Sequence, residues 1–273
     1  MAGSIQFKVE QGRTLVPVGE PCPFACKYCY TRGGEVGPPR IAVEEIIYHL
    51  QRFAAQNKFE MIMFGYDGDP FARPIRGITM LRQLVTMSKD INFSTKALIE
   101  GQTLSMLADI KKQMDASGNT LSAHVSLSCW DSAFCIEPHT PSPMERMLTI
   151  RNLGFIGIPA FIAVRPILPN ICDTEYERLI DEGLLAGCKG FILGPLYSDD
   201  AGRFVKFISP EVLKEVSHSK IVVPWSPHEP VWVRYEDQIR LQHLIGIVTA
   251  KGGRVFLSSA DAVGYLKQDA THA

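Results

Sequence analysis

The sequence predicts an α/β fold, a partial (β/α)6 TIM barrel with a C-terminal extension, and three observations carry that reading. Short β-branched runs alternate with amphipathic stretches, the rhythm of repeated β/α units on a parallel sheet. Gly154, Gly187 and Gly190 stand where helix ends need a residue that tolerates positive φ. A cysteine-rich segment follows the first strand directly, on the edge where β/α barrels build their sites.

Strands are expected at Thr14–Val18, Glu60–Phe64, Asn92–Lys96, Ser122–Ser128, Pro159–Val164 and Gly190–Leu193. A helix follows each of the first five: Ala42–Ala55 after a long loop, then Ile75–Ser88, Thr103–Ala116, Pro143–Leu153 and Thr174–Ala186. Beyond residue 196 the rhythm loosens. Ser209–Val216 reads as a helix, Lys220–Trp225 as a strand, Glu236–Ala250 as a strong helix and Val255–Leu257 as a last strand, with a Pro-rich link at SPHEP. We expect a single domain over 1–273, with a core at 14–196 and an extension at 197–273 that closes the barrel.

The 273 residues are 46% hydrophobic, enough for a sizeable core, and the net charge of −1 provides no global field for polyanions. The N-terminal segment holds no apolar run of signal-peptide length, and no stretch is apolar enough to span a bilayer, so a cytoplasmic protein without a membrane partner is expected. Seven cysteines are present; three fall within eight positions. In a chain of this kind such a cluster points to a metal site rather than a disulfide scaffold.

The segment reads Cys22-Pro-Phe-Ala-Cys26-Lys-Tyr-Cys29-Tyr. Three thiolates can wrap one face of a [4Fe–4S] cubane and leave one iron without a protein ligand, open to a small molecule. The alternatives are a zinc site, which asks for four ligands usually in two pairs, and plain buried cysteines. Cys129, Cys135, Cys172 and Cys188 match no cluster spacing.

This CxxxCxxC segment, with an aromatic before its last cysteine, resembles the signature of the radical S-adenosylmethionine superfamily. Gly65–Pro70, Ser94-Thr95-Lys96, Glu137–Pro143 with Arg146, and Arg165–Pro169 follow in order, and together they resemble the spore photoproduct lyase-like group, which includes proteins labelled DNA repair photolyases. The similarity runs from about Leu15 to Leu196. It implies S-adenosylmethionine on the open iron, reductive cleavage to a 5′-deoxyadenosyl radical, and an electron donor such as flavodoxin or ferredoxin. It also sets Tyr28 beside the adenine.

The remaining rim positions follow from that resemblance and from strand alternation. Gly65, Asp67 and Asp69 are expected near the methionyl ammonium or ribose, or else form a turn. Lys96 and Arg165 compete for the methionyl carboxylate, with solvated Lys96 as the alternative. Ser126 and Ser128 share one face, where a hydroxyl either meets the cofactor or packs. Gly194 would approach the adenine edge or serve a turn. Glu137 and His139 would touch substrate or relay a proton, unless Glu137 pairs with Arg146. Cys129 is a candidate hydrogen donor or a buried thiol. Tyr197, Asp199, Asp200 and Arg203 form a further rim loop, and Trp225 and Trp232 either stack on a base or cap the barrel.

Spore photoproduct lyase returns hydrogen through a cysteine after its second strand, and this chain has none between Cys29 and Cys129. The expected activity is therefore hydrogen abstraction from a small organic substrate, possibly nucleotide- or sugar-derived. Repair or modification of DNA or RNA is the second reading. An iron–sulfur or zinc protein without radical chemistry is the third. Lyase, oxidoreductase and transferase stay undivided.

Overall fold

The structure is a computed structural model that describes residues 5, 7–32, 40–223 and 231–270. Its main sheet has eight strands in the order β1-β2-β3-β4-β5-β6-β7-β11. These are β1 (Val9–Glu10), β2 (Arg13–Val16), β3 (Met61–Phe64), β4 (Asp90–Thr95), β5 (Leu121–Ser126), β6 (Ala160–Val164), β7 (Phe191–Leu193) and β11 (Val255–Phe256). All neighbours run parallel except β1, which pairs antiparallel with β2. The sheet curls into a partial barrel, as the alternating rhythm predicted.

The connecting helices are α1 (Val43–Ala54), α2 (Pro74–Val85), α3 (Gly101–Ala116), a short α4 (Ala133–Ile136), α5 (Pro143–Phe155) and α6 (Asp173–Leu185). α1 shows why they form. Val43, Ile46, Ile47 and Leu50 make one buried stripe at helical spacing, while Glu44 and Glu45 sit in the first turn, where the helix dipole favours them. α2 and α5 open on proline, whose fixed φ suits a first turn. α5 is also capped by Ser142 and Glu145, each bonding the other's backbone.

Alternation gives the sheet two unlike faces. Ile62, Phe64, Phe93, Val125 and Ile162 turn outward into the helix-covered core. On the concave face, Met61 and Met63 meet Val263, and Phe161 and Ile192 meet Ala262. Both contacts come from α9 (Ser259–Ala270), which therefore lies across the inside of the curl. Lys267 pins it further with a 2.6 Å ion pair to Asp90.

The six core strands and five long helices match the sequence reading within a few residues. The C-terminal region departs from it. A second, antiparallel sheet forms there in the order β8-β10-β9, from β8 (Leu196–Ser198), β9 (Ser217–Val222) and β10 (Val231–Glu236). The helix expected at Glu236 starts later, as α8 (Gln238–Ala250), because Asp237 accepts the Arg240 amide and caps it. The helix expected at Ser209–Val216 shortens to α7 (Pro210–Lys214). Trp225 and the SPHEP link lie outside the described residues. Among the described residues, no helix is long and apolar enough to cross a membrane.

Candidate active site at the carboxyl rim

Loops at the carboxyl ends of β2 to β7 converge on one rim. The cysteine loop leaves β2 at Val16 and is shaped by the backbone. Gly19 and Ala25 take positive φ, which Ala does at some cost. The Lys27 amide donates to Ile136 O at 2.9 Å, and Cys29 N to Cys26 O at 3.1 Å. Arg76 reaches from α2 to donate to Val18 O at 2.9 Å and Ile41 O at 2.5 Å, holding both ends of the loop. Cys26 is buried, and Cys22 and Cys29 are part-buried. Burial pushes Cys22 up to about 11 and Cys26 up to about 12, and each of these thiols also feels the charge of its cysteine neighbours.

Among the described residues, no three His, Cys, Asp or Glu side chains close on a single ion. A cubane asks for less convergence, since each thiolate holds a different iron. The three thiols and the thiol-rich donor set fit such a cluster.

Glu137 is the hub behind this loop. It follows α4, is 1% exposed, and receives the Tyr28 hydroxyl, Lys96 Nζ at 2.9 Å and Arg146 NH1 at 2.5 Å. Burial alone would raise its pKa; Arg146 and Lys96 outweigh that and hold it at about 2. Lys96 also donates to Ser126 Oγ at 2.7 Å and Tyr28 OH at 3.0 Å. Ser128 approaches the same phenol. Arg146 is wholly buried and spends its remaining donors on Ser126 O, Pro141 O and Thr140. One carboxylate thus joins four elements of the rim to the cysteine loop.

The loop after β3 is held just as fully. Asp69 Oδ1 accepts from the Phe71 and Ala72 amides and the Thr95 hydroxyl, and Oδ2 from the Lys96 amide at 2.5 Å. Four donors commit Asp69 to the loop's shape, in line with the turn reading. Asp67 accepts the Val18 amide at 2.7 Å, and burial raises it to about 6. Gly65 has φ +90°, and a Cβ there would meet Pro70 at 2.7 Å, so the turn requires glycine.

Other sequence expectations part company. Glu137 pairs with Arg146, one of the two arrangements read for it, while His139 two residues on is exposed. Cys129 is 0% exposed on the helix-facing side with Leu127, away from the concave face where a hydrogen donor would stand. Arg165 extends to Ser259 Oγ at 3.2 Å, at the start of α9. A Cβ on Gly194 would lie 2.4 Å from Arg165 Nε, so Gly194 makes room for that side chain. Asp199 is buried and ion-paired with Arg203, and Asp200 pairs with Lys220 at 3.0 Å. Tyr197 takes its place in β8 opposite Arg234. Trp232 stacks on Phe204 at 5.5 Å and meets Tyr30 edge-on at 6.1 Å, so it caps the barrel.

Sequence reasoning missed Arg76, which looks like any surface cation on a helix. It also missed Arg13, Asn92 and His124, which face inward below the rim. The alternation that pairs Ser126 with Ser128 carries back to Ser122 and His124, so that signal existed.

No family model matches the chain. It is 21% identical to uncharacterized proteins of Mycobacterium tuberculosis and Mycobacterium bovis over 189 residues, 62% of this chain and 54% of each relative. The chain thus spans about half the length of the curated relatives it matches. A spore photoproduct lyase variant superposes with a TM-score of 0.67 at 14% identity, over 93% of this chain and 79% of that one. A variant holding a dinucleoside spore photoproduct gives 0.66 at 16%, over 92% and 78%. Streptococcus suis SuiB bound to S-adenosylmethionine gives 0.55 at 17%, over 71% and 42%. The fold predicted from the cysteine segment and its companion motifs is therefore the fold this chain adopts, a partial barrel shared with spore photoproduct lyase and SuiB.

Proposed function

We propose that the chain is a radical S-adenosylmethionine enzyme whose Cys22, Cys26 and Cys29 hold a [4Fe–4S] cluster. The observation that carries this is the placement of three thiols on one loop, at the carboxyl rim of a half-barrel of this fold. When bound, the cluster and S-adenosylmethionine would supply a 5′-deoxyadenosyl radical that takes a hydrogen atom from the substrate. The chain's own residues do the positioning. Glu137 and Arg146 fix Tyr28, and with it the turn between Cys26 and Cys29. Asp69 sets the backbone of the loop after β3 and of Lys96. Lys96 and Ser126 carry polar atoms on the concave side that would face the cofactor, and Asp67 and Gly65 shape the turn after β3. Trp232, packed edge-on against Tyr30 beside the cysteine loop, would limit water at the rim.

The substrate we infer is a small organic molecule, and the enzyme is cytoplasmic with a reducing protein as electron donor. The near-neutral charge favours this. Nucleic-acid repair or modification is the second reading, favoured by the likeness to the spore photoproduct lyase variant that holds a dinucleoside lesion. It requires affinity for oligonucleotides that falls with salt; no binding at low salt removes it. The main reading is tested by anaerobic reconstitution, reduction and addition of S-adenosylmethionine. We expect 5′-deoxyadenosine from the wild type and none from Cys26→Ala. A reduced, cluster-loaded wild type that leaves the cofactor uncut would instead be an iron–sulfur protein without radical chemistry.

A further inference from the structure

The concave face has three zones. α9 fills the amino end with apolar contacts, and the cysteine loop and Lys96 close the carboxyl end. Between them lies a polar belt, tied to α9 by the Arg165–Ser259 bond. Arg13 enters from β2, His124 from β5 and Arg165 from the end of β6, all at inward positions of the alternation. Asn92 on β4 joins them and donates to Ser122 Oγ at 2.9 Å.

This belt has more positive charge and more unpartnered polar atoms than its surroundings satisfy. Arg165 bonds Ser259 at 3.2 Å, and Tyr197, Tyr30 and Glu10 lie near enough to act on its charge, as Arg13 does with the opposite sign. Arg13 meets Glu10 at 3.5 Å, and that carboxylate is 36% exposed, so water weakens the pair. Among the described residues, Arg13 Nε and His124 Nε2 are buried without a partner, and so is the acceptor Asn92 Oδ1. His124 is 2% exposed, and its ring packs edge-on against Phe161 at 5.9 Å. Burial, then the charges of Arg165 and Arg13, lower it to about 3, so the imidazole is neutral and keeps one N–H to donate. Two guanidiniums close enough for their charge to act on one enclosed, neutral imidazole do not stabilise a fold by themselves, because like charges repel and unpaired buried donors are costly. An oxyanion would satisfy both, and the guanidinium fork matches its geometry.

We propose that Arg13, Arg165 and His124 form an oxyanion pocket at the middle of the barrel. It takes a phosphate or carboxylate group. That this group belongs to the substrate of the rim site rests on the radical-enzyme reading; the binding itself does not.

The test uses the full chain with inorganic phosphate and acetate as probes, against chloride at equal ionic strength. Calorimetry should give a Kd of about 1 mM or tighter for one probe in the wild type, weakened about tenfold or more in Arg165→Gln and in Arg13→Gln. Tighter phosphate identifies a phosphoryl group, and tighter acetate a carboxylate. The imidazole 15N resonances of His124 report the same event without any substitution, and they should shift on titration. Neither probe binding, binding unchanged in both arginine variants, or unmoved His124 resonances would overturn the pocket. Phosphate or acetate binding in a chain that makes no deoxyadenosine would overturn the radical reading and leave the pocket standing.

Discussion

The rim and the belt both place cations inside the same curled sheet, and they treat them oppositely. At the rim, Lys96 and Arg146 share the buried Glu137, and every guanidinium nitrogen of Arg146 finds a protein acceptor. In the belt, Arg13 and Arg165 share the influence of the part-exposed Glu10, and Arg165 donates to the Ser259 hydroxyl. A closed network fixes the position of its own members, here the cysteine loop. An unfinished one is completed by something from outside.

Glu137→Gln leaves two buried cations facing a neutral amide, and it should cost about 3–5 kcal/mol in denaturant unfolding. A loss under about 1 kcal/mol would mean the hub holds nothing. The pH dependence follows with its sign. Glu137 is held at about 2 against an ordinary 4.5, so its contribution is complete above 4.5 and is lost as pH falls toward 2. The unfolding free energy from urea titrations should fall by roughly 2 kcal/mol between pH 6 and pH 3 from this group, and the Gln variant should flatten that part of the curve. Below the belt, Val263→Ala removes the contact of α9 with Met61 and Met63 and should cost about 2 kcal/mol, read from thermal unfolding. Ser142→Ala, on the exposed cap of α5, should cost about 1 kcal/mol and leave cluster loading unchanged. Altered loading there would show that α5 sets the rim through more than Arg146.

Much of the barrel was legible because each unit is local. A β-branched run, a Gly or Pro break and a helical stripe such as Val43 to Leu50 all fall within about thirty residues. The cysteine loop was legible for the same reason, since its three thiols lie within eight positions. What escaped depends on distant partners. The second sheet joins Leu196–Ser198 to Val231–Glu236, so β10 gains its pairing only once the chain has returned. α9 divides its apolar residues between two clusters, Val263 on one and Ala262 on the other, and shows no single strong stripe. Glu137 lies in a Pro-rich loop without periodicity. Its inward turn is decided by Arg146 on α5 and Lys96 after β4, which no local pattern reveals.

The most direct measurement is the electron paramagnetic resonance spectrum of the reduced, reconstituted chain with and without S-adenosylmethionine. A site with three thiolates and one open iron should give a [4Fe–4S] signal that changes when the cofactor is added, and Cys26→Ala should give neither signal nor change. A wild-type spectrum indifferent to S-adenosylmethionine, or a full cluster signal in the Cys26 variant, would contradict the account of the rim.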